Sequence, residues 1–207
     1  QAHAADSNKV LRIGYQKYGT LVLLKANGSL EKRLASQGIE VKWTEFPGGP
    51  QLLEGLNVGS VDFGTTGETP PVFAQAAGAD LLYVAYEPPA PTSEAILVAK
   101  DSPLRSVADL KGKKVALNKG SNVHYLLVRA LEEAGLKYSD IQPVYLPPSD
   151  ARAAFERGSV DVLRGGDVDN VDIKRLRALP KVEYTTAGWE MFSPQAYLIF
   201  NMRKPPF

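Results

Sequence analysis

The residues best suited to chemistry lie in one short stretch, Val61–Pro71, which combines hydroxyls, glycines and a carboxylate. Its pattern predicts an apolar strand, a loop and then a helix that begins at Thr69, whose side-chain oxygen can cap it. Backbone amides and hydroxyls at the positive end of a helix dipole favour an anion. The same pattern also fits an ordinary strand-to-helix turn. The loop residues that could contact a ligand are Thr65, Thr66, Gly67 and Glu68.

A second anion site is predicted at Gly120–His124, where another helix begins after a strand. Ser121 is the expected N-cap, and Asn122 and His124 lie in the first helical turn. A helix N-terminus that points toward the first loop would complete an anion clamp. His124 could be a neutral imidazole whose pKa is lowered by the helix dipole and which donates one hydrogen bond. It could equally be an exposed helical histidine.

Three further candidates lie at strand ends, where side chains reach a ligand in α/β folds. Tyr15 and Gln16 end the first strand, and Gln16 can donate to an oxyanion without bringing a charge. Tyr86 lies where the chain leaves its first half, so it could form a wall of a binding cleft or part of a hinge. Glu68 would repel an anion, so we assign it an orienting or lobe-bridging role.

Positioning these residues requires alternating strands and helices. Apolar periodicity predicts strands at 11–17, 39–46, 61–64, 81–86, 94–99, 114–118, 142–146 and 160–163. It predicts helices at 21–37, 51–56, 69–77, 122–134 and 148–157, and a helical turn at 107–110. Asn27-Gly28 could break the first of these helices. This alternation favours parallel α/β sheets.

An internal repeat indicates two similar lobes. Leu56–Phe63 and Phe155–Val162 each join a short helix to a strand through Gly-Ser-Val-Asp. Ligands of two-lobed α/β proteins bind in the cleft between the lobes. We therefore divide the chain into a leader remnant (1–8), lobe 1 (9–89), lobe 2 (90–163) and an atypical C-terminal segment (164–207) that could return to lobe 1.

Composition excludes several classes of function. The 207 residues include 24 basic and 23 acidic side chains, so the basic excess of a nucleic-acid binder is absent. No stretch has the roughly 18 apolar residues that a transmembrane helix needs. The chain has no cysteine, which excludes thiolate metal sites and a cysteine nucleophile. Ala2-His3-Ala4 fits the end of a signal peptide and indicates an exported protein.

Eight short motifs lie along the chain: Gly14–Lys17, Glu45–Gln51, Leu56–Val61, Thr66–Pro71, Phe73–Asp80, Glu87–Pro89, Ala108–Gly112 and Ser149–Phe155. Together they resemble the periplasmic aliphatic sulfonate-binding proteins, the solute receptors of ABC importers. The resemblance covers residues 9–162. It implies a type II periplasmic-binding-protein fold, a small organosulfonate in the interlobe cleft and an ABC permease as partner. Related taurine and nitrate receptors share the fold, so another small anion is an alternative.

The C-terminal segment departs from that family. Residues 163–207 resemble the oligopeptide/dipeptide-binding receptors instead, which suggests a fusion or a truncated chain. Such a chain could fold and yet have an incomplete, non-binding site. An incomplete lobe 1 would also expose a sheet edge, through which the chain could dimerise.

Other function classes fit the sequence less well. An enzyme on the same fold, such as a pyrimidine synthase of thiamine biosynthesis, would rely on cysteine and histidine clusters, so no catalytic residue and no cofactor are assigned. An effector-sensing domain of a transcription regulator is cytoplasmic, whereas the predicted leader remnant indicates export. The acidic residues Asp161, Asp167, Asp169 and Asp172 lack the glycine and distal glutamate of a calcium loop, so no metal site is assigned.

Overall fold

The computed structural model describes residues 9–88, 94–165, 182–185 and 196–201. Within these residues the strands are β1 (Lys9–Tyr15), β2 (Ile39–Glu45), β3 (Phe63–Gly67), β4 (Leu81–Tyr86), β5 (Ala95–Ala99), β6 (Lys114–Leu117), β7 (Gln142–Tyr145), β8 (Val162–Gly165), β9 (Val182–Thr185) and β10 (Ala196–Asn201). The helices are α1 (Thr20–Asn27), α2 (Ser29–Ala35), α3 (Gly49–Asn57), α4 (Thr69–Ala76), α5 (Asn122–Glu133) and α6 (Pro148–Glu156). Short 3-10 turns cover Val107–Leu110 and Tyr138–Asp140. None of the helices in these ranges is long and apolar enough to cross a membrane.

The strands form two five-stranded sheets, which define lobe 1 and lobe 2. Their orders are β2-β1-β3-β10-β4 and β7-β6-β8-β5-β9. In each sheet three neighbouring strands run parallel and the fourth strand runs antiparallel to both of its neighbours. The chain crosses to lobe 2 between β4 and β5 and returns to lobe 1 between β9 and β10. The predicted two-lobed α/β architecture is confirmed, while the residue boundaries assigned to each lobe stay a prediction.

The Gly-Ser-Val-Asp repeat occupies the same structural position in both lobes. In lobe 1, Asp62 Oδ2 accepts a 2.9 Å hydrogen bond from the amide of Arg12, and the amide of Asp62 donates to the Arg12 carbonyl. In lobe 2, Asp161 Oδ2 accepts a 2.8 Å bond from the amide of Lys114, and the reciprocal backbone bond is also present. Each aspartate therefore attaches its helix-to-strand turn to the first parallel strand of its lobe.

Helices cover both faces of each sheet, as lobe 2 illustrates. Successive residues of a strand point to opposite faces. Val115 and Leu117 of β6 pack in one buried cluster with Leu127 of α5, and Ala116 packs in a second cluster with Phe155 of α6. The sheet is thus held between two apolar layers, which fixes the positions of its strand ends.

The first predicted helix is interrupted where the sequence indicates. Gly28 has a φ of 63°, in the left-handed region that glycine adopts readily, and it separates α1 from α2. The predicted break at Asn27-Gly28 is therefore confirmed.

The third strand extends further than the sequence predicts. We expected it to end at Gly64 and Thr65–Gly67 to form a loop, but β3 continues to Gly67, so the predicted loop is wrong. Backbone pairing with β10 explains the difference, because Thr65, Thr66 and Gly67 face a strand more than 120 residues later in the chain. A local pattern cannot reveal such a long-range pairing.

Candidate functional site

The lobes touch where strand ends of both sheets meet the first turns of α3 and α5. Three pairs of residues approach each other closely across this contact: Gly48 with Asn118, Pro50 with Gly120, and Gly67 with Asn122. In two of these pairs a glycine of lobe 1 faces an asparagine of lobe 2, with no room for a Cβ atom between them. We refer to this region as the interlobe contact.

Gln16 lies at the end of β1 and is buried, with 2% of its surface exposed. Its Nε2 donates to the carbonyl of Thr65 at 3.1 Å and to the hydroxyl of Tyr18 at 3.2 Å. Its Oε1 is buried and has no hydrogen-bond partner among the described residues. The structure thus brings Gln16 and Thr65 together, as expected for one site. The side-chain nitrogen of Gln16, which we expected to donate to a ligand, instead donates to groups within lobe 1.

Thr65 and Thr66 are fully buried on β3. Neither hydroxyl has a partner in the part of the chain that the structure describes. The Oγ1 of Thr66 lies against Gly49, in the first turn of α3. Two unpaired hydroxyls at a strand end, one of them beside a helix N-terminus, are suited to an oxyanion.

The N-terminus of α3 and Asn118 belong to this group, although we did not predict them as site residues. Gly48 is the N-cap of α3 and has no side chain that could cap the amides of the first turn. Asn118 follows β6, is 7% exposed, and has an Nδ2 without a partner within the described residues, close to Gly48. Gln51 Oε1 is also buried, close to Gly48 and unpaired there.

Two sequence signals could have identified these residues. The proline at position 50 is typical of the first turn of a helix, so the turn Pro47–Pro50 could have been interpreted as a helix start rather than only as a turn. Asn118 immediately follows the carboxyl end of a parallel strand, where ligands of α/β folds bind.

Asn122 joins the interlobe contact through its carboxamide. Its Nδ2 donates to Oε1 of the buried Glu94 at 2.6 Å. Its Oδ1 lies 2.9 Å from the position that a Cβ on Gly67 would occupy. The structure therefore brings the predicted site residues Gly67 and Asn122 together across the lobes.

Ser121 is the N-cap of α5 and is 1% exposed, but its hydroxyl does not cap the helix. We expected the oxygen to accept from the amides of the first turn. The hydroxyl instead donates to the carbonyl of Asn118 at 2.7 Å, so the expected side-chain cap is wrong. The loop at residues 118–121 is tight, so the carbonyl of Asn118 lies within hydrogen-bond distance of the Ser121 hydroxyl. The bond fixes Asn118 at the interlobe contact.

The ring of His124 contacts groups outside its own helix. Its Nδ1 accepts from the amide of Gly120 at 3.2 Å, and its ring lies 5.3 Å from that of Tyr138 and 6.0 Å from that of Tyr145. Burial lowers the pKa of His124, and the positive charge of Lys119 lowers it further. A lowered pKa agrees with the neutral imidazole that we expected, although burial and Lys119 are the causes rather than the helix dipole. Because Nδ1 accepts, the hydrogen of the neutral ring lies on Nε2, and donation from this nitrogen to a ligand stays a prediction.

The side chains of Tyr15 and Tyr86 make their contacts away from the unpaired donors. Tyr15 donates to Glu45 at 3.2 Å and packs edge-on against Trp43, within the outer core of lobe 1. Tyr86 ends the edge strand β4 and is 68% exposed. Neither tyrosine lies at the interlobe contact in this arrangement.

Glu68 is the N-cap residue of α4 and makes no side-chain cap bond. Thr69, which we predicted as the cap, is instead the first helical residue, and its hydroxyl donates to Glu68 Oε1 at 3.4 Å. The predicted start of the helix is correct, but the predicted cap is wrong by one residue.

The acidic residues considered for a metal lie mainly outside the described residues, because Asp167, Asp169 and Asp172 fall in 166–181. Within the described ranges, no group of three or more histidine, cysteine, aspartate or glutamate side chains could hold a metal ion.

Comparison with known sequences finds one family and several relatives. The profile of the family described as NMT1/THI5 like matches residues 34–200. A protein of Escherichia coli (strain K12) named as an aliphatic sulfonates-binding protein is 60% identical over 159 residues, which cover 76% of this chain and 49% of that protein. The taurine-binding periplasmic protein of the same strain is 31% identical over 124 residues, covering 60% of this chain and 38% of that protein. The chain thus spans about half the length of the curated relatives that it matches first.

Solved structures give the same result. The periplasmic aliphatic sulphonate binding protein SsuA from Escherichia coli aligns with a TM-score of 0.77 and 49% identity, covering 95% of this chain and 66% of that chain. The alkanesulfonate-binding protein SsuA from Xanthomonas axonopodis pv. citri, bound to MOPS, aligns with a TM-score of 0.84 and 46% identity. That alignment covers 97% of this chain and 68% of the other.

Proposed function

The chain belongs to the family described as NMT1/THI5 like, and on that premise we propose that it is the solute-binding receptor of an ABC importer for small aliphatic sulfonates. Its resemblance to the aliphatic sulfonate-binding proteins is confirmed by 60% identity to one of them over 159 residues. The family profile extends to residue 200, beyond residue 162, where the resemblance in the sequence ends.

One observation carries the proposal: at the ends of β3 and β6, three neutral donors are buried without a partner in the described residues. They are the hydroxyls of Thr65 and Thr66 and the Nδ2 of Asn118. Buried polar groups are almost always paired, so donors of this kind indicate a ligand rich in acceptor oxygens. A sulfonate offers three such oxygens. Hydrogen bonds to a charged group contribute about 1.5–3 kcal/mol each, so neutral donors suffice for specific binding.

The two-lobed architecture and the similarity to importer receptors support the remaining steps of the proposal. The receptor binds the sulfonate between its lobes, closes around it and presents the closed form to a membrane permease in the periplasm. Thr65, Thr66 and the start of α3 supply donors on the lobe 1 side, and Asn118 supplies one on the lobe 2 side. The donors of Gln16 and Ser121 are bonded within their own lobes. The remaining candidates stay predictions as ligand residues: Tyr15, Gln16, Gly67, Glu68, Tyr86, Ser121, Asn122 and His124. Capture requires no covalent chemistry, so we assign no catalytic role and no cofactor.

Taurine is a second candidate ligand, because the taurine-binding periplasmic protein of Escherichia coli is 31% identical over 124 residues. Taurine carries an ammonium group that an alkanesulfonate lacks, so the two ligands differ in the chemistry required at the far end of the pocket.

Dimerisation of the chain also stays a prediction. Leu82, Val84 and Tyr86 of the edge strand β4 are exposed, and light scattering of the purified chain at several concentrations would measure its oligomeric state.

Calorimetry tests the proposal directly. The chain is titrated with 1-butanesulfonate, taurine, sulfate, nitrate and trialanine under the same conditions. We expect saturable binding of 1-butanesulfonate and weaker or no binding of sulfate, nitrate and the peptide. Binding of trialanine alone, or of none of these compounds, would reject the sulfonate receptor and favour a chain with an incomplete site.

A further inference from the structure

Glu94 is the one ionisable side chain that is fully buried in the described part of the chain, with 2% of its surface exposed. It directly precedes β5, where the chain enters lobe 2. Burying a carboxyl group is unfavourable unless the group is hydrogen-bonded. Oε1 of Glu94 accepts its 2.6 Å bond from Asn122, which lies at the interlobe contact. The burial of Glu94 is therefore linked to the surface on which the lobes meet.

The bond to Glu94 determines which end of the Asn122 carboxamide faces lobe 1. A carboxamide donates from its nitrogen and accepts at its oxygen, so its two ends are not equivalent. Glu94 takes the nitrogen, and the oxygen lies beside Gly67. The Oδ1 and Cγ of Asn122 lie 2.9 Å and 3.0 Å from the position of a Cβ on Gly67. Asn122 thus fills the space that the glycine leaves between the lobes.

We infer that Glu94 is a positioning residue, which fixes the carboxamide of Asn122 so that lobe 1 can close onto it at Gly67. The inference rests on the proposed function, because closure matters to a receptor that holds its ligand between two lobes. Glu94 and Asn122 both belong to lobe 2, so their bond keeps the carboxamide in place before the lobes meet. A preformed contact surface loses less entropy on closing, which raises ligand affinity without contact to the ligand.

Lobe closure can be measured because the chain has no cysteine. Cysteines introduced by Gln37→Cys in lobe 1 and Ser139→Cys in lobe 2 are both at exposed positions and can carry spin labels. Pulsed electron paramagnetic resonance then gives the distance between the lobes. Calorimetry with 1-butanesulfonate at pH 8 gives the affinity of the same labelled variants.

Asn122→Asp replaces the donor to Glu94 by a second carboxyl oxygen and should break the bond. We expect affinity to fall about ten-fold or more and the interlobe distance to broaden. Adding Glu94→Gln restores a donor, so Glu94→Gln/Asn122→Asp should return to within about three-fold of the parent. Repulsion between Asp at position 122 and an anionic ligand would leave the double variant as weak as the single one. That result, or parent-like binding by Asn122→Asp, would overturn the inference.

Interlobe distances measured without ligand test this inference independently of the proposed function. Gly67→Ala introduces a methyl group 2.9 Å from Asn122 Oδ1 and should remove the shortest interlobe distances of the ligand-free chain, those of the arrangement in which the lobes touch at Gly67. Gly55→Ala is the matched control, because its methyl group would meet Phe46 inside lobe 1 at 2.7 Å. A parent chain that fails to bind 1-butanesulfonate rejects only the sulfonate receptor. Equal interlobe distances in the two alanine variants would reject the contact between Gly67 and Asn122.

Discussion

The Oγ1 of Thr66 lies against Gly49, at the point where α3 begins. A Cβ on Gly49 would come well inside 3.0 Å of this oxygen and within 2.9 Å of Pro70 Cγ, closer than real Cβ atoms approach other atoms. Gly49 has no positive φ, so glycine is required here for space rather than for backbone conformation. The close approach brings a buried hydroxyl to the N-terminus of α3, where the helix dipole favours an anion.

Gly49→Ala should therefore weaken both stability and binding. The added methyl group must push α3 away from Thr66, and overpacking of this kind lowers the free energy of unfolding by about 1–3 kcal/mol. Urea denaturation measures this loss, and calorimetry with 1-butanesulfonate measures the accompanying loss of affinity. Glu54→Ala, at an exposed position of the same helix, is the control and should leave both quantities near their parent values.

The hydroxyl of Thr66 can be tested without changing its volume. Thr66→Val replaces the hydroxyl by a methyl group and so removes one of the donors that we propose for the sulfonate. We expect affinity for 1-butanesulfonate to fall by about 1.5–3 kcal/mol, with little loss of stability because the hydroxyl has no partner within the described residues. Thr66→Ser keeps the donor and should retain most of the affinity. Equal binding by the valine and serine variants would exclude a role for the hydroxyl.

The two copies of the Gly-Ser-Val-Asp repeat should differ in strength. Asp62 also accepts from the guanidinium of Arg12, whose Nε lies 2.9 Å from Oδ2, whereas the side chain of Asp161 bonds only to the Lys114 amide within the described residues. Asparagine at either position can still accept the backbone amide bond, but only Asp62→Asn also loses the ionic bonds to Arg12, at a cost of about 1.5–3 kcal/mol. Asp62→Asn should thus lower the urea midpoint more than Asp161→Asn. The opposite order would show that the Arg12 side chain adds nothing.

Local patterns predicted most of the elements. β4 is observed at the residues predicted, and α5 begins at the predicted Asn122, because each is encoded by its own periodicity and flanking turns. The Gly-Ser-Val-Asp repeat predicted the two lobes, because the same turn is built twice. These features depend on neighbours in the sequence.

The site was harder to predict because it depends on contacts between distant segments. Thr65 and Thr66 were predicted as ligand residues of a loop, but their strand geometry depends on β10. Asn118 was missed because its importance arises only when lobe 2 meets Gly48. The hydroxyl of Ser121 was assigned to a helix cap, whereas a carbonyl three residues earlier offers a closer partner. No pattern within one segment contains that information.

His124 provides a test by pH. Its folded-state pKa lies below the ordinary value of about 6.5, first because of burial and second because of Lys119. Since the unfolded chain then binds more protons, the contribution of His124 to stability is complete above about pH 6.5 and is lost as the pH falls through the folded pKa. Nuclear magnetic resonance titration of the His124 ring should give this lowered value. Lys119→Gln should raise it only partly toward 6.5, because burial is the larger cause. A full return to 6.5, or no change, would contradict that order of causes.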